Sequence, residues 1–379
     1  MMDALRDVFI TACGVHLPGD PVGNDAIEDH IGRIAGRDSL FGRRALRWNG
    51  VQTRHYAIGS DGQVTDSNAG MSAKAICAAL DAAKLERDEL TFLASATTQG
   101  DLLVPGHAAA VHGALGGPPL EIASFQSVCG ASLMAAKSAW LQVRSGEHDV
   151  AVACASELSS RWFRPEFYEG SKLVDAKGRL NAEADFLRFT LSDGAGAIVL
   201  EPTPQPGRLN LKVEFIDMVS LAGSFESCMW AGATANSRSD LNQSWSHLGP
   251  IAAQASGAIA LLQDFELLKR VIRAWVGEYL RSVDRGRIVP DQVDWLLCHY
   301  SAESLKNELL SLLEKTAGMI APDKWFSNLK TVGNIGSASI WVMLEAFLRS
   351  GKLKRGQKVL CVVPESGRAF VGFMMLEAV

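Results

Sequence analysis

Short apolar runs without charge alternate with amphipathic stretches along most of the chain, the pattern of buried strands carried between covering helices. Val8–Val15 predicts a first buried strand, and Pro18-Gly19-Asp20-Pro21 a turn before a polar helical segment reaching about Ile34. Ala69–Ala83 has helical period, and Thr91–Thr97, TFLASAT, reads as an uncharged strand. Leu120–Gly146 breaks at Ser127-Val128-Cys129-Gly130 from a strand-like run into a helix that only Lys137 and Arg144 interrupt. A helix that is apolar almost all round is a buried one. Further on, Asp149–Ala155 predicts a buried strand and Phe189–Leu200 a strand opened by Asp-Gly-Ala-Gly. Leu209–Ser220 reads as an edge-like or connecting strand, and Leu261–Leu280 as a strongly amphipathic helix. Ser224–Pro250, rich in Ser, Asn, Gly and Trp, lacks a period and is expected to form a loop that shapes a substrate site.

The pattern repeats. Gly336–Gly351, GSASIWVMLEAFLRSG, aligns without gaps on Ala131–Gly146, ASLMAAKSAWLQVRSG, at an offset of 205, and a buried strand follows each copy. Upstream, Arg87–Thr97 matches Pro290–Tyr300 at an offset of 203, each with an acidic turn leading into an apolar strand. Two copies of an α/β unit are therefore expected, residues 1–205 and 206–379, with mainly parallel strands joined by helical crossovers.

Composition narrows the class. The 379 residues, 47% of them hydrophobic, suffice for a sizeable core. A net charge of -5 and the lack of a sustained Lys/Arg face argue against nucleic-acid binding. No run approaches a membrane span, and MMDALRDVFITACG lacks the features of a signal peptide, so a cytoplasmic location is expected. The seven cysteines never form CxxC and suit reduced thiols. His107 and His112, five residues apart, read as ordinary helix residues, and no metal site is expected.

Three residues are candidates for chemistry, each with a plainer reading beside it: Cys129 as a core thiol, His299 as a hydrogen-bonded structural residue and Asn334 as a helix N-cap. Cys129 stands where a strand ends and a buried helix begins, beside free N–H groups and the positive end of the helix dipole, a setting that favours a thiolate. Asn334 takes the corresponding place in the second copy, and His299 ends the strand before it. Ligands in open α/β sheets gather beyond the carboxyl ends of strands, so a pseudo-two-fold arrangement would bring Cys129, His299 and Asn334 into one cleft. Thiol, imidazole and amide there suit acyl transfer, with the sulfur taking the acyl group and two neutral donors stabilising an enolate or oxyanion. Two readings stand for the basic, aromatic stretch Arg43–Ala57: a solvated loop anchored by Trp48, or Arg43, Arg47 and Trp48 lining the mouth for an anionic carrier. Lys269, Arg270 and Arg273 on the polar side of the amphipathic helix are either a solvated face or a docking patch for an acidic partner.

The segments GVQTRHYAI, SATTQGDLLVPGHAAAVHGALG, SVCGAS, LSDGAGAIVL, VDWLLCHY and TVGNIGSAS, in this order, resemble the motifs of the ketoacyl-synthase-III-like members of the thiolase superfamily. The resemblance implies an α/β, thiolase-like five-layered α-β-α-β-α fold of two duplicated halves, usually a homodimer. It implies Cys129 as the acylated nucleophile, with His299 and Asn334 binding the second thioester during Claisen condensation. It implies an oxyanion hole from the Cys129 backbone N–H and Gly367, and acyl carrier protein docking at Lys269. The substrates would be thioesters of acyl carrier protein or coenzyme A, with no tightly bound cofactor. Two departures stand out: His299-Tyr300-Ser301-Ala302 replaces His-Gln-Ala-Asn, and Pro364-Glu365-Ser366-Gly367-Arg368 replaces a run of glycines. HYSAES with VPESGR is similar to the specialised branch that makes cyclohexanediones and dialkylresorcinol precursors. Glu303 and Glu365 are candidates for proton transfer there, or are simply solvated or loop-contact carboxylates. An ester-forming acyltransferase, a thioester hydrolase and a fatty-acid-initiating synthase remain open alternatives.

Overall fold

A computed structural model describes residues 5–379; residues 1–4 of the segment read for a targeting signal lie outside the described residues. The strands that build the molecule are β1 (Phe9–His16), β2 (Phe92–Thr97), β3 (Glu121–Gln126), β4 (Ala151–Glu157), β5 (Gly194–Glu201), β6 (Leu211–Ser220), β7 (Trp295–Cys298), β8 (Lys358–Glu365) and β9 (Phe370–Ala378). They form one nine-stranded sheet in the order β7-β8-β9-β6-β1-β5-β4-β2-β3. Its middle is thin, because β1 and β6 pair only through Phe9 with Lys212 and Ile10 with Leu211.

The two flanks run alike. Outward from that junction, β1, β5, β4, β2 and β3 pair antiparallel, antiparallel, parallel and parallel. On the other side β6, β9, β8 and β7 pair antiparallel, antiparallel and parallel, and a parallel bridge from Leu296 to Trp325 stands where a fifth strand would be. Antiparallel pairing therefore prevails, against the mainly parallel expectation. The reason is local: β8 and β9 are joined by a four-residue turn, too short for the crossover that parallel strands require. Likewise β6 is no edge strand but an inner one, paired along its whole length with β9.

Side chains alternate across each strand, so both faces are covered. Ala151, Ala153 and Ala155 of β4 face a middle layer that holds helices α4 (Ala131–Ser145) and α7 (Ser339–Arg349). Val152 and Cys154 face outward onto α2 (Asn68–Ala83) and α3 (His107–Leu115). Beyond the other flank, Leu360 and Phe373 meet α5 (Phe265–Asp284) and α6 (Glu303–Leu313). The result is a five-layered α-β-α-β-α stack. Gly14 shows how close these layers come, since a Cβ there would lie 2.2 Å from the Ala79 backbone nitrogen in α2. Of the stretch Arg43–Ala57, residues 43–49 belong to helix α1 (Leu40–Asn49), with Ser39 accepting from the Gly42 N–H as its cap, and the rest is loop around the two-residue strand Thr53–Arg54. Among the described residues no helix is long and apolar enough to cross a membrane.

Candidate active site

The two middle-layer helices begin at the same end of the stack, and the site lies where they begin. After β3 the chain turns through Ser127-Val128-Cys129-Gly130 into α4, whose first residues Ala131, Ser132 and Leu133 are fully buried. Gly130 is required at this turn: a Cβ would meet the Phe370 ring at 2.5 Å and Glu365 Oε2 at 2.9 Å. Asn334 precedes the Gly336–Ala338 turn that opens α7, and its backbone pairs with Thr190–Ser192 ahead of β5. Its side-chain oxygen accepts from the Gly336 N–H at 3.0 Å, which fixes the amide so that its NH2 is the free end. His299 follows β7 directly, held by its N–H to the Val362 carbonyl at 2.8 Å.

Cys129, His299 and Asn334 all line one cavity of about 290 Å³. His299 Nε2 lies 3.1 Å from Cys129 Sγ, within hydrogen-bond reach for a sulfur donor. Met229, Trp230 and Ala231 from the loop between β6 and α5 form part of the wall, together with Trp162 and Trp275.

Electrostatics correct the expected thiolate. Burial pushes the Cys129 thiol well above its ordinary value, and the carboxylates of Glu365 and Glu157 add to the effect. Burial also pushes His299 down to about 4, so its imidazole is neutral near pH 7. The resting pair is therefore a neutral thiol facing a neutral base. Burial outweighs the helix dipole, and a carboxylate at the helix start adds to it: Glu365 Oε2 accepts from the Gly130 N–H at 2.8 Å and Oε1 from the Ser127 hydroxyl at 2.7 Å.

Glu157, which lines the same cavity, escaped the sequence reading altogether. It accepts from the Thr98 hydroxyl at 2.8 Å and the Ser337 hydroxyl at 2.6 Å, and burial raises it to about 7. A usable signal existed: Glu157 and Glu365 each end the strand after the repeated helix, at an offset of 208 that nearly continues the repeat.

The other candidates lie elsewhere. Gly367 sits in the turn between β8 and β9 with its carbonyl accepting from the Cys228 N–H at 2.8 Å; Pro364 and Ser366, not Gly367, line the cavity. Arg43, Arg47 and Trp48 are exposed on α1 and do not line it; Trp48 meets Phe41 edge-on at 6.0 Å and anchors no loop. Lys269, Arg270 and Arg273 are exposed along α5, Lys269 pairing with Glu266 at 2.7 Å and Arg270 lying over Phe225. Glu303 opens α6, exposed, and pairs with Lys306 at 3.6 Å. His107 and His112 bond the Ser156 hydroxyl and the Pro118 carbonyl, as structural residues do.

Comparison with known proteins identifies the family and the fold. Residues 69–205 match the family "Beta-ketoacyl synthase, N-terminal domain", and residues 283–375 match "3-Oxoacyl-[acyl-carrier-protein (ACP)] synthase III C terminal". The chain belongs to the ketoacyl-synthase-III-like condensing enzymes of the thiolase superfamily, which are acyltransferases. Among solved structures, the tetronic acid condensing enzyme AbyA1 is 21% identical with a TM-score of 0.75, covering 98% of this chain and 99% of its own. The 3-oxoacyl-(acyl carrier protein) synthase III FabH from Pseudomonas aeruginosa is 19% identical, covering 98% of each chain, with a TM-score of 0.71. A variant of OleA from Xanthomonas campestris is 16% identical with a TM-score of 0.75, covering 98% of this chain and 99% of its own. At these identities the likeness is one of fold.

Proposed function

We propose that this protein is a ketosynthase that loads an acyl group onto Cys129 and joins it to a second acyl or β-ketoacyl thioester by Claisen condensation. The observation that carries the reading is the 3.1 Å contact of Cys129 Sγ with His299 Nε2, with the Asn334 amide in the same cavity. In the first step the thiol proton passes to His299 as sulfur attacks the thioester carbonyl, which needs the neutral imidazole that burial supplies. In the second step His299 and Asn334 hydrogen-bond the carbonyl oxygen of the extending thioester. They stabilise its enolate, formed as the α-carbon gives up CO2 or a proton, while it attacks the acyl carbon on Cys129; the bond from that carbon to Sγ then breaks, and the freed thiolate takes up a proton to restore the thiol. A neutral donor pair is well matched to an enolate, because buried donors fixed in advance need no reorganisation.

The product class we assign is a specialised one, a cyclohexanedione or resorcinol precursor. The tetronic acid condensing enzyme among the structural neighbours supports a specialised condensation, as do the replacement of the glycine run by Pro364–Arg368 and the apolar, tryptophan-lined cavity. Thioesters of acyl carrier protein or coenzyme A are the proposed substrates. Carrier docking is placed on Lys269, Arg270 and Arg273, which their exposure supports. We divide the chain at 205/206, with Cys129 in the first half and His299 and Asn334 in the second. A homodimer is proposed through the open edge of β3, where Ile122 is exposed.

The test incubates purified protein with a panel of acyl and β-ketoacyl thioesters and weighs protein and products. A ketone that combines both acyl chains is expected. Release of free acid or of an ester alone would replace this reading with hydrolysis or ester formation.

A further inference from the structure

Strands β4 and β8 hold corresponding places on the two flanks of the sheet, and each ends in a glutamate that is 4% exposed. Each carboxylate crosses to the middle-layer helix of the opposite flank. Glu157 accepts from the Ser337 N–H at 3.2 Å and its hydroxyl at 2.6 Å, at the turn that opens α7. Glu365 accepts from the Gly130 N–H and the Ser127 hydroxyl, at the turn that opens α4 and one residue from Cys129.

The Glu365 contact reverses what a helix start does for a cysteine. Free N–H groups and the dipole there ordinarily draw a thiol toward thiolate. Glu365 takes up the Gly130 N–H on that same end; burial raises its own pKa, while the Ser127 hydroxyl and the Gly130 and Val128 N–H groups favour its charged form. The other charged or titratable groups that face the sulfur do not cancel it. Glu157 is itself a carboxylate, and His299 is uncharged near pH 7. Arg161 lines the cavity, but its guanidinium is turned to the Gln99 and Gly100 carbonyls and to Asp101.

We propose that Glu365 is a positioning residue for the reaction: by capping the first turn of α4 with its carboxylate, it holds the Cys129 Sγ–H against His299 Nε2 until a thioester enters the cavity. This rests on Cys129 being the acylated nucleophile. On arrival of the thioester, Sγ bonds the carbonyl carbon and its proton moves to His299 Nε2. The bond from that carbon to the carrier sulfur then breaks, and the departing thiolate takes the proton back from His299. Before that moment the neutral thiol resists alkylation and oxidation, because the thiolate is the reactive form. Gly130 and Glu365 are thus a matched pair, since any side chain at 130 would strike the carboxylate.

The test is alkylation of the full-length protein by iodoacetamide from pH 6 to 10, read on the Cys129 peptide by mass spectrometry so that the other six cysteines do not contribute. Glu365→Gln keeps the shape and removes the charge. It should alkylate about tenfold faster at pH 7.5, with the profile displaced by about one unit to lower pH. Ser127→Ala loses one hydrogen bond but keeps the charge, and should retain the wild-type profile. If Glu365→Gln does not accumulate as folded protein, Glu365→Ala carries the same expectation. A Glu365→Gln profile that coincides with wild type overturns the proposal, as does an equal displacement in Ser127→Ala, which would point to packing rather than charge. Acyl loading of the wild type is followed in parallel. Its absence refutes the nucleophile assignment, while the alkylation profile still judges Glu365 by itself.

Discussion

Replacing Glu157 by glutamine tests how the buried carboxylates load the site. Glu157 rises from an ordinary 4.5 to about 7 because burial outweighs the hydrogen bonds from Thr98 and Ser337. A carboxyl whose pKa is raised on folding stabilises the protein below its unfolded pKa, and that stability is lost as pH rises through the folded one. The window is therefore pH 4.5 to 7, and a rise of about 2.5 units at about 1.36 kcal/mol each is about 3.4 kcal/mol in all. Between pH 5 and pH 8 this one group should cost the wild type about 2.5 kcal/mol. Glutamine does not titrate, so Glu157→Gln should lack that component, whatever constant penalty its amide suffers among four donors. Urea unfolding of both proteins at pH 5 and pH 8 gives the difference of differences, in which the other titrating groups cancel. A value near 2.5 kcal/mol supports the reasoning. One below about 0.5 kcal/mol would show that Glu157 is not held protonated by burial.

Other outcomes follow from the same geometry. Asn334→Ala should keep acyl loading within about twofold while condensation falls by about 100-fold, the usual cost of one oxyanion donor; equal loss of both steps would contradict its assignment. Gly14→Ala forces a Cβ against the backbone of α2 and should lower stability by about 1–3 kcal/mol or prevent soluble expression, measured by urea unfolding. Reversing Lys269, Arg270 and Arg273 to Glu should raise KM several-fold for a carrier-protein thioester at low salt and leave the coenzyme A thioester unchanged; equal effects on both would remove the docking patch from α5.

Much of this was legible in the chain because it depends on local pattern. The run from Ser127 to Gly146 shows its strand break, its helix and its small residues at close-contact positions. The match of Ala131–Gly146 to Gly336–Gly351 then sets Cys129 and Asn334 at corresponding helix starts. His299 could be found because an apolar strand ends on it. What depends on contacts between distant segments was not legible. The thiolate expected at Cys129 follows from the helix alone, whereas the neutral thiol follows first from burial under distant segments and then from Glu365, 236 residues away in the chain. Leu211–Phe215 alternates buried and partly buried residues as an edge strand would, yet the strand lies inside the sheet because β9 pairs along its whole length and β1 meets it at Leu211 and Lys212. The helix Leu40–Asn49 is hard to see from the Arg43–Ala57 stretch, because its three arginines mask an amphipathic helix whose buried side is only Gly42, Ala45 and Asn49.

The central claim is that Cys129 carries the acyl group between two steps, and intact-protein mass spectrometry tests it most directly. Wild type mixed with one acyl thioester should gain the mass of that acyl group, and lose it when a second thioester is added, as the joined ketone appears. The account is contradicted if Cys129→Ala gains the same mass, or if the acyl group leaves the wild type only as free acid.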